Sequence, residues 1–186
     1  MTITLLGEPF AIDLMNTLKT AHDPIVDQLA SPAALDEFWR FQVDRDPTLT
    51  PLGHEDTLAL RGIVTEIVSS IREQRAPDVH VLTAANTLLY AAPTQTYLRA
   101  SVDGIDVEHT STASHAADVT RARAILSAIE LTARAEDGRL RRCAAEDCSQ
   151  LFVALNSKRR WCTAAGCGNR ARVSRHAARV RTPATA

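Results

Sequence analysis

The sequence predicts an α+β fold: a mostly α-helical N-terminal domain with one β-hairpin, followed by a small four-cysteine unit that ends in a basic helix. Three observations lead to this prediction. Apolar residues recur at helical spacing over much of the first 92 residues. Two β-prone segments flank a turn signal near residue 103. All four cysteines lie within 25 consecutive positions near the C-terminus, among many basic residues.

The first two predicted helices are short. Phe10, Leu14 and Leu18 recur at a spacing of four and form the apolar face of an amphipathic stretch. Ser31 and Pro32 are typical of an N-cap and a first helical position, so a second helix begins there. Its predicted buried residues are Leu35, Phe38 and Trp39.

A third helix is predicted by the longest apolar stripe in the chain, which runs from Glu55 to about Arg75. The stripe consists of Leu60, Ile63, Val64, Ile67, Val68 and Ile71. A stripe of this length predicts a core helix. Pro77 and Asp78 then interrupt the pattern before another apolar segment, VHVLTAANTLLYAA.

The next segment, TQTYLRASVDGIDVEHTS, predicts a β-hairpin. The dipeptide Asp103-Gly104 favours a two-residue type I′ turn between the two β-prone runs. A last long helix follows, capped by Thr112 or Ser114 and ended by Gly138. Its predicted buried face contains Val119, Leu126, Ile129 and Ala133.

Gly138 is the predicted domain boundary. Residues 1–138 form an acidic helical domain, residues 139–181 a small finger with a basic C-terminal helix, and residues 182–186 a disordered tail. The first 138 residues hold 10 Lys+Arg and 20 Asp+Glu, whereas the remainder holds 11 and 2. This asymmetry indicates that the basic part binds a polyanion, or that it docks on the acidic part of its own or a neighbouring chain.

The expected compartment follows from what the N-terminal sequence carries. The chain has no run of 18 apolar residues, so we expect no membrane span. The start MTITLLGEPFAIDLMNT lacks a basic region and carries Glu8 and Asp13, which is unlike a secretory signal. We therefore expect a cytoplasmic protein.

The four cysteines have the spacing of a metal site. Cys143, Cys148, Cys162 and Cys167 follow the pattern C-x4-C-x13-C-x4-C, in which two close pairs can supply four tetrahedral thiolate ligands. Disulfides would need an oxidising compartment, a redox dithiol is normally C-x-x-C, and four buried cysteines by coincidence are the remaining alternative. The spacing favours one structural zinc ion in a closed site that does no chemistry.

Basic residues surround this cysteine pattern. Lys158, Arg159 and Arg160 directly precede Trp161 and the third cysteine, so a bound metal would hold this basic loop in place. Trp161 either packs over the metal site or stacks on a nucleobase. The predicted nucleic-acid contacts are Lys158, Arg159, Arg160, Arg170, Arg172, Arg175 and Arg179.

The last helix is predicted to have two faces. Arg172, Arg175 and Arg179 recur on one side, and an apolar stripe on the other would pack against the finger. Arginines in such a row match phosphate groups well. The alternative is an ordinary solvated helix face. The apolar stripe consists of Val173, Ala177 and Val180.

Two parts of the chain resemble known domains. The segments RRWC at 159–162 and CGNR at 167–170 strongly resemble the CGNR zinc finger, a family named after that tetrapeptide. The segments FAIDLMNTL, around Asp13, Asn16 and Thr17, and LASPAALDEFW resemble the ABATE domain, a stress-induced transcription-regulator domain that accompanies this finger. The resemblance implies a bacterial protein, zinc binding by the four cysteines, and transcription regulation through DNA binding.

The loop before Lys158 departs from the family pattern. Family members commonly carry an Asp and a Ser in the form F-x-D-x-S, whereas Ala154 and Asn156 stand there in this shorter loop. We therefore expect either altered recognition or a less rigid loop.

Three residues of the CGNR tetrapeptide have expected physical roles. Gly168 permits a positive φ or a close backbone approach, and Asn169 can cap the following helix. Arg170 either donates to a carbonyl of the finger or reaches a phosphate. Gly168 and Asn169 are thus predicted to be structural.

The acidic domain carries no G-x-G-x-x-G, P-loop or nucleophile elbow. Asp13, Asn16, His22 and Asp23 form either an active site or, for Asp13 and Asn16, side chains that satisfy backbone groups at a helix end. We expect no catalysis. The domain is expected to bind a small-molecule effector, to form a homodimer, or both.

The sequence therefore supports a zinc-dependent DNA-binding regulator. A non-catalytic protein-interaction module, whose basic finger docks on an acidic domain, is the alternative. An enzyme acting on a small molecule within residues 1–138 is a third hypothesis.

Overall fold

The computed structural model describes residues 3–20 and 24–181. Seven helices are α1 Phe10–Asn16, α2 Pro32–Arg45, α3 His54–Glu73, α4 Val79–Ala91, α5 Ala116–Ile129, α6 Leu131–Glu136 and α7 Asn169–Arg181. Three antiparallel strand pairs are β1 Leu18–Lys19 with β2 Val26–Asp27, β3 Thr94–Ser101 with β4 Gly104–Ser111, and β5 Leu140–Arg142 with β6 Leu151–Val153. The predicted mixed α+β class is confirmed. His22, Asp23 and the tail 182–186 lie outside the described residues.

The main core lies where α1, α3 and α5 pack together. Phe38 and Trp39 of α2 meet edge-to-face with ring centroids 5.2 Å apart, and both are buried. Three apolar residues of β5 and β6 belong to the same core: Leu140, Leu151 and Val153. The strand pair of the cysteine-rich segment therefore packs directly on the helices.

The predicted starts of α2 and α3 are confirmed. Ser31 is the N-cap of α2, and its hydroxyl oxygen accepts a hydrogen bond from the Ala34 N–H at 3.3 Å. Helix α3 begins at His54 and buries most of its apolar stripe. Among the described helices, none is long and apolar enough to cross a membrane.

The β-hairpin is present, but the predicted turn is wrong by one residue. Ser101 pairs with Gly104, so the two-residue loop consists of Val102 and Asp103. The positive φ of +133° belongs to Gly104, which is already in β4. A type I′ turn needs positive φ at both loop residues, and neither Val102 nor Asp103 has it.

The predicted cap and buried face of the last helix in residues 1–138 are also wrong. Helix α5 starts after His115 and ends at Ile129, which is 46 % exposed. Small residues face the core instead, because alanine lets the helix approach closely: the buried set is Thr120, Ala122, Ala124, Ile125 and Ala128. The predicted stop at Gly138 is confirmed, since its φ is +64° and its N–H donates to the Ala135 carbonyl.

Candidate metal centre

The four cysteine sulfurs form a compact, buried cluster. All four Sγ atoms lie within 4.8 Å of one another, and none forms a disulfide. The Sγ atoms of Cys148 and Cys162 are 3.9 Å apart, and those of Cys162 and Cys167 are 3.6 Å apart. Tetrahedral zinc at about 2.3 Å from each sulfur gives sulfur–sulfur distances of about 3.8 Å. The cluster therefore fits one structural zinc ion.

Two tight turns bring the cysteine pairs together. Cys143 and Cys148 lie between β5 and β6, where the Cys143 N–H donates to the Gln150 carbonyl at 2.9 Å. Cys167 lies in a single π-helical turn, Ala164–Gly168, which leads directly into α7. The Ala144 N–H donates to the Arg160 carbonyl at 2.9 Å and joins the two turns. Each close pair thus supplies two corners of the site, as its spacing predicts.

Burial and hydrogen bonding shift the pKa values of these thiols in opposite directions. Burial raises the pKa of Cys148 to about 11 and also raises the pKa of Cys162. Burial would raise the pKa of Cys143 as well, but the backbone N–H groups of Ala145 and Cys162 lower it below its usual range. A divalent cation stabilises all four thiolates at once, so metal binding must release protons.

Close backbone packing shapes the second turn. A Cβ at Gly168 would lie 3.2 Å from the Thr163 carbonyl oxygen and 3.3 Å from Cδ1 of Trp161. Its predicted close backbone approach is therefore present. A Cβ at Gly166, which sequence reasoning missed, would come within 2.6 Å of Thr163 Oγ1. Trp161 packs against the cysteine cluster rather than standing free.

Arg159, which the sequence grouped with the nucleic-acid contacts, is partly buried and bonded to the body of the protein. Its guanidinium lies over the Phe152 ring at 4.3 Å. It donates to the carbonyls of Val153 and Cys162 at 3.0 and 2.8 Å, and to Glu8 Oε1 at 2.7 Å. Its hydrogen-bonding groups are thus engaged by the body of the protein.

The other predicted contacts lie at the surface. Lys158, Arg160, Arg170, Arg172, Arg175 and Arg179 are exposed. Arg170 donates to both carboxylate oxygens of Asp147 at 3.0 Å and approaches Cys167 Sγ at 3.4 Å. These contacts explain the raised pKa of Arg170, caused first by Cys167 and then by Asp147. Arg170 therefore closes one side of the metal centre.

Of the described side chains in the predicted apolar stripe of α7, Ala177 is partly buried and Val173 is exposed. Val173 is 60 % exposed, and α7 packs mainly on the π-helical turn. The Val180 side chain lies outside the described residues. Asn169 Oδ1 accepts from Arg172 Nη1 at 3.3 Å, and Thr163 Oγ1 accepts the Gly166 N–H at 3.0 Å at the start of the turn.

Asn156 organises the loop that departs from the family pattern. Its Oδ1 accepts the backbone N–H groups of Lys158 and Arg159 at 3.0 and 3.1 Å. Ala154 is buried, and its N–H donates to the Arg139 carbonyl. A single amide side chain therefore holds the start of the basic segment.

Polar side chains of the N-terminal segment hold β6. The Asn16 amide donates to the Leu151 carbonyl and accepts the Leu151 N–H, both at 2.9 Å. Gln150 donates back to the Asn16 carbonyl, and Glu8 Oε2 accepts the Val153 N–H, also at 2.9 Å. Sequence reasoning expected Asn16 to bond to its own helix end, and it missed Glu8. The available signal was Glu8 itself, because an acidic residue within an apolar stretch indicates a buried carboxylate that needs a partner.

Asp13 lies beside this contact. Its Oδ1 accepts the Glu8 N–H at 3.1 Å, and its Oδ2 is 2.7 Å from Arg45 Nη1. Burial raises the pKa of Asp13 to about 6, although both partners oppose the shift. The carboxyl thus holds the N-terminal segment in position.

The finger is a structural metal-binding unit by its geometry. The CGNR zinc finger family model matches residues 139–180. This match and the cysteine cluster together establish zinc binding by Cys143, Cys148, Cys162 and Cys167. No curated protein matches the chain. The resemblance of residues 1–138 to the ABATE domain stays a prediction.

Proposed function

We propose that this chain is a non-catalytic, zinc-dependent DNA-binding transcription regulator whose α7 contacts phosphate groups. One observation carries the proposal: α7 starts two residues after the ligand Cys167 and exposes Arg172, Arg175 and Arg179 at helical spacing. The metal centre holds Cys167 in place and therefore fixes where α7 and its row of arginines begin. Along the axis the row spans about 10 Å, enough for contacts with successive phosphates.

The charge around α7 also supports a polyanionic partner. Residues 139–186 contain only two acidic residues, Glu146 and Asp147, and Asp147 is paired with Arg170. Lys158 and Arg160 are exposed on the same finger. A basic surface with so little acid attracts nucleic acid at long range.

Docking of the finger on the acidic part of the same chain is the second candidate role. Arg159 and Glu8 favour it, because they form a salt bridge at 2.7 Å in which Glu8 is almost fully buried. This contact uses none of the α7 arginines. Docking and DNA binding therefore employ different sides of the finger.

The regulatory part of the proposal concerns residues 1–138. A cleft of about 810 Å³ lies between the helices and the finger, and it is lined by Glu8, Arg134 and Arg159 among others. A small-molecule effector in this cleft would touch both parts at once. The cleft therefore offers an effector contact with Arg159, which joins the finger to Glu8.

The test is fluorescence anisotropy of zinc-loaded full-length protein with random duplex DNA at several salt concentrations. We expect affinity to fall steeply with salt and to vanish after chelation. Replacing Arg172, Arg175 and Arg179 together by Ala should reduce the slope of log K against log salt by about 3. No binding at low salt with zinc bound would reject the DNA role in favour of docking.

A matched control separates the position of the charges from their number. The triple substitution Arg40→Ala, Arg72→Ala and Arg134→Ala removes three exposed arginines outside the finger. It should leave the salt dependence almost unchanged. An equal loss in both triple variants would mean that net charge, and not α7, governs binding.

A further inference from the structure

Residues 79–102 form a nearly uncharged stretch in a chain where 23 % of residues are charged. These 24 consecutive residues include Arg99 as their one charged residue, and α4 has none. They span the whole of α4 and β3. Surface elements of this length normally carry several charges.

Most of α4 is nevertheless exposed. It packs on α5 and α3 through a narrow side on which Ala85 is buried. Its exposed apolar residues are Val79, Leu82 and Tyr90, the last at 85 %, and the exposed residues between them are uncharged. A helix with apolar residues on its solvent side is typical of an element covered by another surface.

The β3–β4 hairpin follows α4 after two residues and forms an arm. Within the described residues, its strands pair with each other and with no further strand. Leu98 and Val107 are opposite each other in the register, and Ile105 lies on the same face, with all three more than half exposed. A lone two-stranded hairpin is marginally stable in water, so this arm gains from a partner.

The combined size fits a protein interface. Thirteen helical residues span about 20 Å, and eight strand residues about 26 Å. With a width of about 10 Å each, the two elements cover on the order of 500 Å² in projection. Stable interfaces bury about 800 Å² of accessible surface per partner. Accessible surface is larger than the projected area of the same elements, because side chains protrude and interlock.

We infer that α4 and the β3–β4 arm form the interface with a second copy of this chain. Charge selects this partner. Outside residues 79–102, residues 1–138 carry 20 acidic and 9 basic residues, so two copies repel each other over most of that surface. In a two-fold dimer, the same surface of each copy meets its counterpart. An uncharged surface can meet its counterpart without electrostatic repulsion between the two copies.

The charges of the arm agree with this orientation. Asp106 and Glu108 lie on β4, whereas β3 carries Arg99 alone, which is paired with Glu108. By the register, the apolar residues Leu98, Ile105 and Val107 lie on one face of the hairpin, and the charged residues Arg99, Asp106 and Glu108 lie on the other. The apolar face can therefore meet its copy, and the charged face points away. Acidic side chains on an edge strand oppose pairing there.

Sedimentation velocity of the zinc-loaded full chain over a concentration series tests the inference. We expect a dimer, and we expect Tyr90→Glu with Leu98→Glu to weaken it at least about 100-fold. Both positions are exposed, and circular dichroism verifies that the variant is folded. The control variant carries Ile25→Glu and Leu155→Glu, exposed apolar positions outside both this surface and α7, and should remain dimeric.

Three results would overturn the inference: a wild-type monomer at high concentration, a dimer that persists in the Tyr90/Leu98 variant, or equal dissociation of the control. DNA binding is measured separately on the same variants. A monomeric variant that still binds DNA through one α7 leaves the proposed function intact, so the two ideas fail independently.

Discussion

The arginines on the two sides of the finger lie in opposite environments. Arg159, on the side that faces the helices, contacts Glu8, two carbonyls and an aromatic ring. Arg172 and Arg175, on the outer helix, make only local contacts at an exposed surface. The difference shows that neighbouring basic residues can include some that bond to the rest of the fold and others that are left to solvent. Sequence proximity does not separate them.

Loss of the metal should disrupt both sides of the finger together. We expect this to be the largest of the effects on structure and stability. Zinc contributes roughly 10–16 kcal/mol of apparent binding energy in comparable units. Cys162→Ser should therefore abolish stoichiometric zinc and most α7 helicity, as measured by colorimetric zinc release and circular dichroism. Ser157→Ala is the control and should behave as wild type. Retention of one zinc per chain in Cys162→Ser would contradict the site.

Breaking the inner ion pair should be the next largest effect. Glu8→Gln removes the charge opposite Arg159 and leaves a half-buried guanidinium unpaired, which should cost about 3 kcal/mol in unfolding free energy. Urea unfolding of the zinc-loaded protein measures this loss. The exposed substitution Glu130→Gln should cost less than about 0.5 kcal/mol. Equal midpoints for the two variants would show that the pair does not stabilise the docked finger.

The free energy of unfolding should also depend on pH through Asp13, which lies beside the contact between the N-terminal segment and β6. The folded pKa of about 6 lies above the ordinary 3.8, so this group stabilises the protein most below about pH 4. That contribution is lost as pH rises through 6, by up to about 3 kcal/mol. Asp13→Asn should lack this dependence. A constant difference in unfolding free energy between wild type and Asp13→Asn from pH 4.5 to 7 would contradict the shift.

The outer arginines should have the smallest effect on stability. Substituting Arg172, Arg175 and Arg179 together by Ala should change the unfolding free energy by less than about 1 kcal/mol, because these side chains are exposed. The same urea titration compares this variant with Glu8→Gln. A cost as large as that of Glu8→Gln would remove the distinction between the two sides.

Local patterns determined much of what was predicted correctly. The Ser31-Pro32 start of α2, the stripe of α3 and the paired cysteines all depend on residues close together in sequence. Capping, helical periodicity and metal-ligand spacing are short-range effects, so one chain is sufficient to detect them. The zinc ligands were therefore predictable without coordinates.

Only the tertiary structure determined which polar groups form hydrogen bonds with one another. Asn16 and Leu151 are 135 positions apart, and Glu8 and Val153 are 145 apart. The small residues Ala124 and Ala128 face the core because neighbouring helices approach closely, which their own periodicity does not specify. Sequence by itself determined the start of α2, the stripe of α3 and the metal ligands. Long-range packing placed Arg159 against Glu8 and left the α7 arginines exposed to solvent, because burial depends on neighbours that sequence proximity does not reveal.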